Sequence, residues 1–359
     1  MLNLFKVIIN IFGKLQKLIV LEHVSSLLFT FIFWSSISFC VYLPYLNLQQ
    51  KVDIESESIL FDINQGDSFG KILNNLKKEN IISNTNWMYL YIRLFNKSNQ
   101  IKAGEYLILK EDSHLDVIDQ FISGKVHLHP FTIIEGWTLT DLSDAMLNSS
   151  FIIKDNKPLD HNKFTDKFHL DSLEIISEGL FLPETYFIAK GTTPEMLYDM
   201  AHKMLMEELN NQWDNRTPNL PLKSPYEALI LASIIEKETA VDDERPRISS
   251  VFIERLKINM RLQTDPTVIY GLGTDFNGNL TRKDLRTDTL YNTYTRYGLP
   301  PTPISLPGRS SIAAALNPSN EKNIYFVATG DKDGRHKFSQ TKDEHDLAVR
   351  EYLSKIKTN

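Results

Sequence analysis

The chain has 359 residues, 39 Lys and Arg against 45 Asp and Glu, a net charge of −6 and a pI near 5.9. It is long enough for two domains with accessory segments. With no basic cluster interleaved with aromatics, this balance argues against nucleic acid as a partner, and a single cysteine, Cys40, excludes an intrachain disulfide and a cysteine-rich metal site.

Val24 to Leu43 is a run of 20 residues without a charge. At about 1.5 Å per residue it matches a hydrocarbon core of ~30 Å, so a transmembrane helix is expected over 24–43. Its Ser and Thr hydroxyls can bond back to helix carbonyls. Tyr42 and Tyr45 suit an interface and Pro44 a helix stop. Lys6, Lys14 and Lys17 precede the run, whereas Asp53, Glu55 and Glu57 outnumber Lys51 after it. The positive-inside rule then leaves residues 1–23 in the cytoplasm and places the remainder outside it. The run is longer than a signal-peptide core and lacks a small-x-small cleavage site, which favours an uncleaved, single-pass anchor. Cys40 follows bulky Phe39 and reads as an apolar side chain of the span rather than a lipidation site.

Residues 54–125 read as a small α/β module. Ile59 to Phe61 with Ile63 form a strand before the turn at Gln65, Gly66 and Asp67. Phe69, Ile72, Leu73 and Leu76 mark one face of a helix. Asn84 to Phe95 is a second helix, Glu105 to Leu109 a strand, and Ser113 to Ser123 a third helix closed by Gly124. The strand-helix-helix-strand order with a Gly-Asp-Ser turn resembles the LysM carbohydrate-binding module; a generic α/β spacer is the alternative.

The remainder, 126–359, reads as a mixed α+β domain. Phe131 to Ile134 is expected as a strand, and Thr138 with Asp141 as the capped start of a helix through Met146. Residues 148–175 give no clear pattern. Glu178 to Phe187 suggest an aromatic loop or strand, and Thr193-Pro194 opens a helix toward Leu209, followed by a loop from Asn210 to Lys223. Ser224, Pro225 and Glu227 spell a helix start with a capping box. Ile248 to Leu256 is helical, and Thr264-Asp265-Pro266 opens a short helix that Gly271 ends. The stretch 288–308 is too rich in proline for regular structure and too aromatic for a disordered linker, so it should be an ordered loop, a usual place for substrate contacts. A helix over Ser310 to Leu316, a hairpin formed by Ile324 to Ala328 and Lys337 to Phe338, and an amphipathic helix complete the chain.

The chemistry concentrates on the helix beginning at Ser224. From Ala228 to Ile235 only Ser233 is polar, so the helix should be buried, and it runs directly into Glu236, Lys237 and Glu238. An apolar flank and a helix C-terminus both disfavour a charged carboxylate, as an acid catalyst requires. Glu236 and Glu238 lie roughly 200° apart around the axis, so one can face a cleft while the other meets solvent. Glu236 is the expected acid because Ala232 and Ser233 form a strip of small residues where a ligand could approach; two ordinary glutamates of a last helical turn are the alternative. There is no Gly-rich phosphate loop, no Gly-x-Ser-x-Gly elbow and no His-Glu-x-x-His helix. His127 and His129 alternate on an expected strand without further ligands and read as a surface pair; no metal or other cofactor is expected. A carboxylate among Tyr, Asn, Gln and Asp suits sugars, whose faces stack on rings while their hydroxyls seek fixed polar groups.

Leu231 to Thr239, Val251 to Leu256, Met260 to Gly271, Tyr291-Asn292-Thr293-Tyr294, and Gly298-Leu299-Pro300-Pro301 through Pro307-Gly308 resemble, in order, the YceG-like endolytic murein transglycosylases of the MltG type. Glu178-Gly179 and Pro183 to Tyr186 add local signatures. The resemblance implies a bacterial inner-membrane protein with a periplasmic catalytic domain, acting on peptidoglycan glycan strands and partnering peptidoglycan synthases (penicillin-binding proteins). It also implies that Glu236 is the catalytic acid and that cleavage of the β-1,4 bond between N-acetylmuramic acid and N-acetylglucosamine leaves 1,6-anhydro ends. Glu238, Gln263, Asp265, Tyr291, Asn292 and Tyr294 are candidate substrate contacts, Glu238 also a second-choice acid. Asp265 could instead cap its helix and the tyrosines pack. A hydrolytic muramidase, with Asp265 or Glu184 as a second acid, and a non-catalytic glycan-binding scaffold are the rival functions.

Overall fold

The computed structural model describes residues 24–155, 157–166 and 177–358; the expected cytoplasmic segment 1–23, part of the unpatterned 148–175 stretch and the Cys40 side chain lie outside the described residues. Contacts divide the chain into two compact units, meeting in sequence between His127 and Leu128. Both mix helices with two-stranded antiparallel sheets, an α+β composition.

In the first unit, helix α1 (Val24–Leu48) contains a segment, Phe29–Leu48, long and apolar enough to cross a membrane. The helix does not stop at Pro44, as expected, but continues to Leu48. Proline removes only one backbone donor; the Asn47 amide donates to the Leu43 carbonyl at 2.8 Å, and Leu48 is buried with Val52 and Ile54 in the unit's core. Strand β1 (Ser58–Ile63) pairs with β2 (Gly104–Leu109). Helices α2 (Phe69–Lys78) and α3 (Asn86–Leu94) connect them. Ile72, Leu73 and Leu76 of α2 are buried, the face read from their spacing. Helix α4 (His114–Ser123) starts with a reciprocal box between Ser113 and Asp116 and ends on Gly124 in the left-handed region, where glycine carries no Cβ penalty.

In the second unit, β3 (Leu128–Thr132) pairs with β4 (Thr185–Ala189), Phe131 opposite Tyr186. The strand lies earlier than the expected 131–134, because after Ile133 the chain leaves the ladder for a turn at Gly136, φ +76°. His129 of β3 is buried and stacks on Phe151, ring centroids 3.7 Å apart, so it does not form the surface pair read from the sequence. Helix α5 (Leu139–Asn148) begins with the Thr138 and Asp141 box; α6 (His161–Thr165) is short. Helix α7 (Pro194–Asp214) runs past the expected end near Leu209 because Trp213 packs against the core and holds the Arg216 guanidinium 3.9 Å above its ring; burial overrides the loop-like Asn210-Asn211-Gln212.

Helix α8 (Pro225–Glu238) is the axis of this unit, buried at every position from Ala228 to Ile235. Leu229, Ile230, Leu231, Ile234 and Ile235 each contribute about 1.5–3 kcal/mol by burial. Its cap is half the expected box: Ser224 Oγ accepts from the Glu227 N–H, but Glu227 reaches the N–H of Lys223 instead. Helices α9 (Arg245–Lys257) and α10 (Asp265–Leu272) follow. Gly271 lies inside α10, where a Cβ would stand 3.1 Å from Tyr291 Cβ; the helix ends at Gly273, φ +55°. The proline-rich stretch is ordered, and Thr302 to Gly308 is buried. Helix α11 (Arg309–Leu316) packs along α8. Strands β5 (Tyr325–Ala328) and β6 (His336–Ser339) form the hairpin, and α12 (Lys342–Thr358) packs on it.

Ser233, the one polar residue inside α8, is fully buried. Its Oγ donates to the Ile230 carbonyl at 2.7 Å and accepts from the Ile304 N–H at 3.0 Å, while Ser305 Oγ donates to the Ser233 carbonyl at 3.1 Å. The small-residue strip is therefore covered by 304–305 and is not an approach for ligand. Ser233→Ala strands the buried Ile304 N–H, and thermal unfolding should show a loss of about 1–3 kcal/mol.

Candidate active site

The strap from Ile304 to Gly308 runs along the last turn of α8. Beyond Ser233 it pairs with the turn after β3: Leu306 N–H donates to the Trp137 carbonyl at 2.6 Å and Gly136 N–H to the Leu306 carbonyl at 2.9 Å. At the end of the strap, Gly308 N–H donates to Glu236 Oε2 at 2.9 Å. On the other side, Arg245 Nη2 donates to Glu236 Oε1 at 3.4 Å. Arg245 is held in turn by Ser311 Oγ, 3.1 Å from its Nε, and by Asp242. Glu236 thus has a donor for each oxygen. The unfavourable dipole of its own helix is offset by the N-terminal end of α11, whose N-cap is Gly308.

Glu238 diverges from Glu236, but it is half-buried rather than exposed. Its carboxyl is buried and accepts from Thr264 Oγ1, and burial raises its pKa despite that bond. Lys237, between them, is the exposed member; its Nζ donates to the Gly136 carbonyl at 3.1 Å.

The remaining candidates separate by exposure. Gln263 is exposed with φ +49°, a left-handed conformation uncommon for a non-glycine residue, and its N–H donates to the Thr293 carbonyl at 3.2 Å. Asp265 is exposed and accepts from Tyr294 OH at 2.6 Å. Tyr291 is half-buried, its hydroxyl 2.8 Å from Thr302 Oγ1 and its ring edge-on to Tyr270. Asn292 turns inward at 1% exposure: its amide donates to the carbonyls of Asp284, Leu285 and Thr287, and its Oδ1 accepts from Tyr294 N–H at 2.8 Å. Glu184 is exposed, 3.9 Å from Arg309 Nε. Among the described residues no cluster of three His, Cys, Asp or Glu could hold a metal.

Three contributors escape a reading of the sequence. Arg245 carried a signal, since a basic residue opening a helix is the wrong sign for its dipole. Gly308 and Glu135 meet only through the fold: a Cβ on Gly308 would fall on the Glu135 carboxyl.

Glu178 is a buried carboxyl that ties this neighbourhood to the fold. It accepts from Leu139 N–H at 3.0 Å, Gly179 N–H at 3.3 Å and Tyr270 OH at 3.1 Å. Burial, partly countered by these donors, raises its pKa from an ordinary 4.5 to about 7. A folded-state pKa above the unfolded one means stability that is present below the unfolded value and lost as pH rises through the folded one. The stability difference between wild type and Glu178→Gln should therefore shift against the wild type, by up to about 3 kcal/mol, as pH rises from about 4.5 to 7. Denaturant unfolding of both proteins across that window measures it; parallel pH profiles would refute it.

Comparison with known proteins places this geometry in context. The model of the YceG-like family matches residues 61–351. The endolytic murein transglycosylase of Bacillus subtilis is 28% identical over 86% of this chain and 89% of its own length. That of Streptococcus pneumoniae is 26% identical over 93% of this chain, which spans 66% of that longer relative. A crystal structure of a YceG-like protein from Listeria monocytogenes superposes with a TM-score of 0.52 at 30% identity, covering 82% of this chain and 99% of the other. With a family match over most of its length, this chain belongs to the YceG-like family.

Proposed function

We propose that this protein is an endolytic lytic transglycosylase that cuts the β-1,4 bond between N-acetylmuramic acid and N-acetylglucosamine inside nascent peptidoglycan strands, leaving 1,6-anhydro ends and terminating elongation. The observation that carries this reading is Glu236, a carboxylate at the end of a rigid, buried helix with a donor fixed on each oxygen, in a chain whose curated relatives are named endolytic murein transglycosylases.

Glu236 protonates the leaving glycosidic oxygen as C1 of the muramyl residue becomes oxocarbenium-like. As a carboxylate it then takes the proton of the muramyl C6 hydroxyl, whose oxygen attacks C1. The proton returns to the side chain that gave it, and no water is consumed. The substrate's N-acetyl group can stabilise C1 without a carboxylate nucleophile. Exposed Gln263 and Asp265, with half-buried Tyr294, grip the glycan, while Tyr291, Asn292 and Glu238 hold the loops that present them. Strained backbone such as that of Gln263 is enriched at ligand clamps.

In the same reading, α1 anchors the chain as a single-pass span of the cytoplasmic membrane, N-terminus inside and the catalytic domain, 126–359, in the periplasm. The apolar side chains of Phe29, Phe31 and Ile32 are exposed, as lipid contact requires. The β1-α2-α3-β2 arrangement supports a LysM-like module at 54–125 that binds glycan. Penicillin-binding synthases supply the nascent strands.

Hydrolysis is the second reading, favoured by the presence of Glu135 as another carboxyl near Glu236. Mass spectrometry of purified glycan strands incubated with wild-type and Glu236→Gln protein separates the possibilities. Wild type should yield internal fragments one water lighter than reducing ends, and Glu236→Gln should be slower by about 10²–10⁴-fold. Reducing ends would establish a muramidase, glycan binding without cleavage a scaffold, and a fully active Glu236→Gln would remove Glu236 from the chemistry.

A further inference from the structure

The first unit leaves no linker between its apolar helix and its core. The segment Phe29–Leu48 is about 30 Å long, the thickness of a hydrocarbon layer, and its last residue, Leu48, is already buried with Val52 and Ile54. The helix packs against α3 and α4, and just beyond its end the Gln50 carbonyl accepts from the His114 N–H at 3.0 Å. Tyr42 and Tyr45, both exposed, precede Leu48 by about one to two turns and suit the headgroup level. A span rooted in this way brings the surface beside it down to the lipid headgroups.

Helix α3, on that surface, is not built to face water. It turns Met88 and Ile92 into the core, and the opposite side of such a helix is normally polar. Here Leu90 and Leu94, one turn apart on the outer face, are 40% and 71% exposed, and Tyr89 beside them is exposed as well. Tyr89 stacks on Phe69 of α2, ring centroids 6.4 Å apart, which extends the apolar surface. From Asn84 to Lys97 the chain holds Arg93 and Lys97 but no Asp or Glu, in a protein whose net charge is −6. Both cations lie against tyrosines: Arg93 Nε donates to Tyr89 OH at 3.1 Å and Lys97 Nζ to Tyr91 OH at 2.9 Å. Leucines framed by aromatic rings and basic groups are what a helix lying in a membrane interface requires.

We propose that the outer face of α3 docks on the same bilayer that α1 crosses, Leu90 and Leu94 entering the upper acyl region of the outer leaflet while Arg93 and Lys97 meet lipid phosphates. Lipid is the occupant, rather than glycan or a second copy of the chain, because α1 packs directly on α3 and carries this face to the headgroups. The second contact fixes the orientation of the module against the membrane, which a single helix would leave free to swivel. The inference rests on the reading of α1 as a membrane span and goes beyond it.

The test uses the full chain with Cys40→Ser, so that one introduced thiol carries a fluorophore, in vesicles of phosphatidylethanolamine and phosphatidylglycerol whose acyl chains bear quenching bromines. With the label at Leu94→Cys, bromines about 5–10 Å below the headgroups should quench most of the fluorescence, and bromines at the bilayer centre much less. With the label at Asp62→Cys, on the face of β1 turned away from the helices, neither should quench. Leu90→Asp puts a carboxylate on the docked face; it should release the label at 94 while the melting temperature and the resistance of the protein to alkaline washing hold. A label at 94 that is unquenched, quenched no more than the one at 62, or indifferent to Leu90→Asp would overturn the proposal. Shielding that appears only when glycan strands are added would make the face a glycan site instead, and shielding that rises with the number of copies per vesicle a contact between copies. Protein stripped from the vesicles by alkali would sink the reading of α1 as a span, whereas protein retained with an unquenched label at 94 would sink only this inference.

Discussion

The second unit depends on one joint, where the strap from Ile304 to Gly308 is bonded along the final turn of α8. Ser233 holds one end through its hydroxyl and carbonyl, and Glu236 accepts from the other. Between them, Leu306 exchanges hydrogen bonds with the turn carrying Gly136 and Trp137. Two distant stretches of sequence, the strap and the turn after β3, are thereby fastened to one helix, and the carboxyl at its end is held by a backbone amide on one oxygen and by Arg245 on the other. A buried serine inside an apolar helix costs stability unless satisfied; here both its donor and its acceptor capacity are used.

Much of this was legible in the sequence. The faces of α2 and α8, the capping pairs at Ser113 and Thr138, the glycine closing α4 and the late hairpin all follow from local periodicity and turn chemistry, which act over a few residues. What was not legible depends on partners far away in the chain. Pro44 and Asn210 read as stops, yet α1 and α7 continue because Leu48 and Trp213 find burial. Gly271 reads as a terminator, but its missing side chain makes room for Tyr291. The site divides in the same way: Glu236 is marked by its helix, whereas its donors Gly308 and Arg245 and its neighbour Glu135 come from segments with no shared local pattern. Asn292, prominent as a polar residue between tyrosines, turns out to brace the loop from within.

Four glutamates of this unit, Glu178, Glu236, Glu238 and Glu244, are partly or fully buried, and each has a different partner. Glu178 receives two backbone amides and a tyrosine hydroxyl, Glu238 a threonine, and Glu244 both the backbone and Nδ1 of His336, at 3.0 and 2.9 Å. Only Glu236 is met by an arginine and a strap amide together. Where neutral donors serve, burial raises the carboxyl, as for Glu178 and Glu238. One kind of residue thus sits in several different surroundings within a small space, and those surroundings decide what each can do.

The contacts of β6 carry a temporal corollary. Arg335 and His336 clasp Asp243 and Glu244, the residues directly before Arg245, and Gly308 and Ser311 also follow Glu236 in the chain. A growing polypeptide releases Glu236 before either of its two donors, Arg245 and Gly308, has been made. The carboxyl therefore acquires both bonds only after the strap has been synthesised and has folded back onto α8.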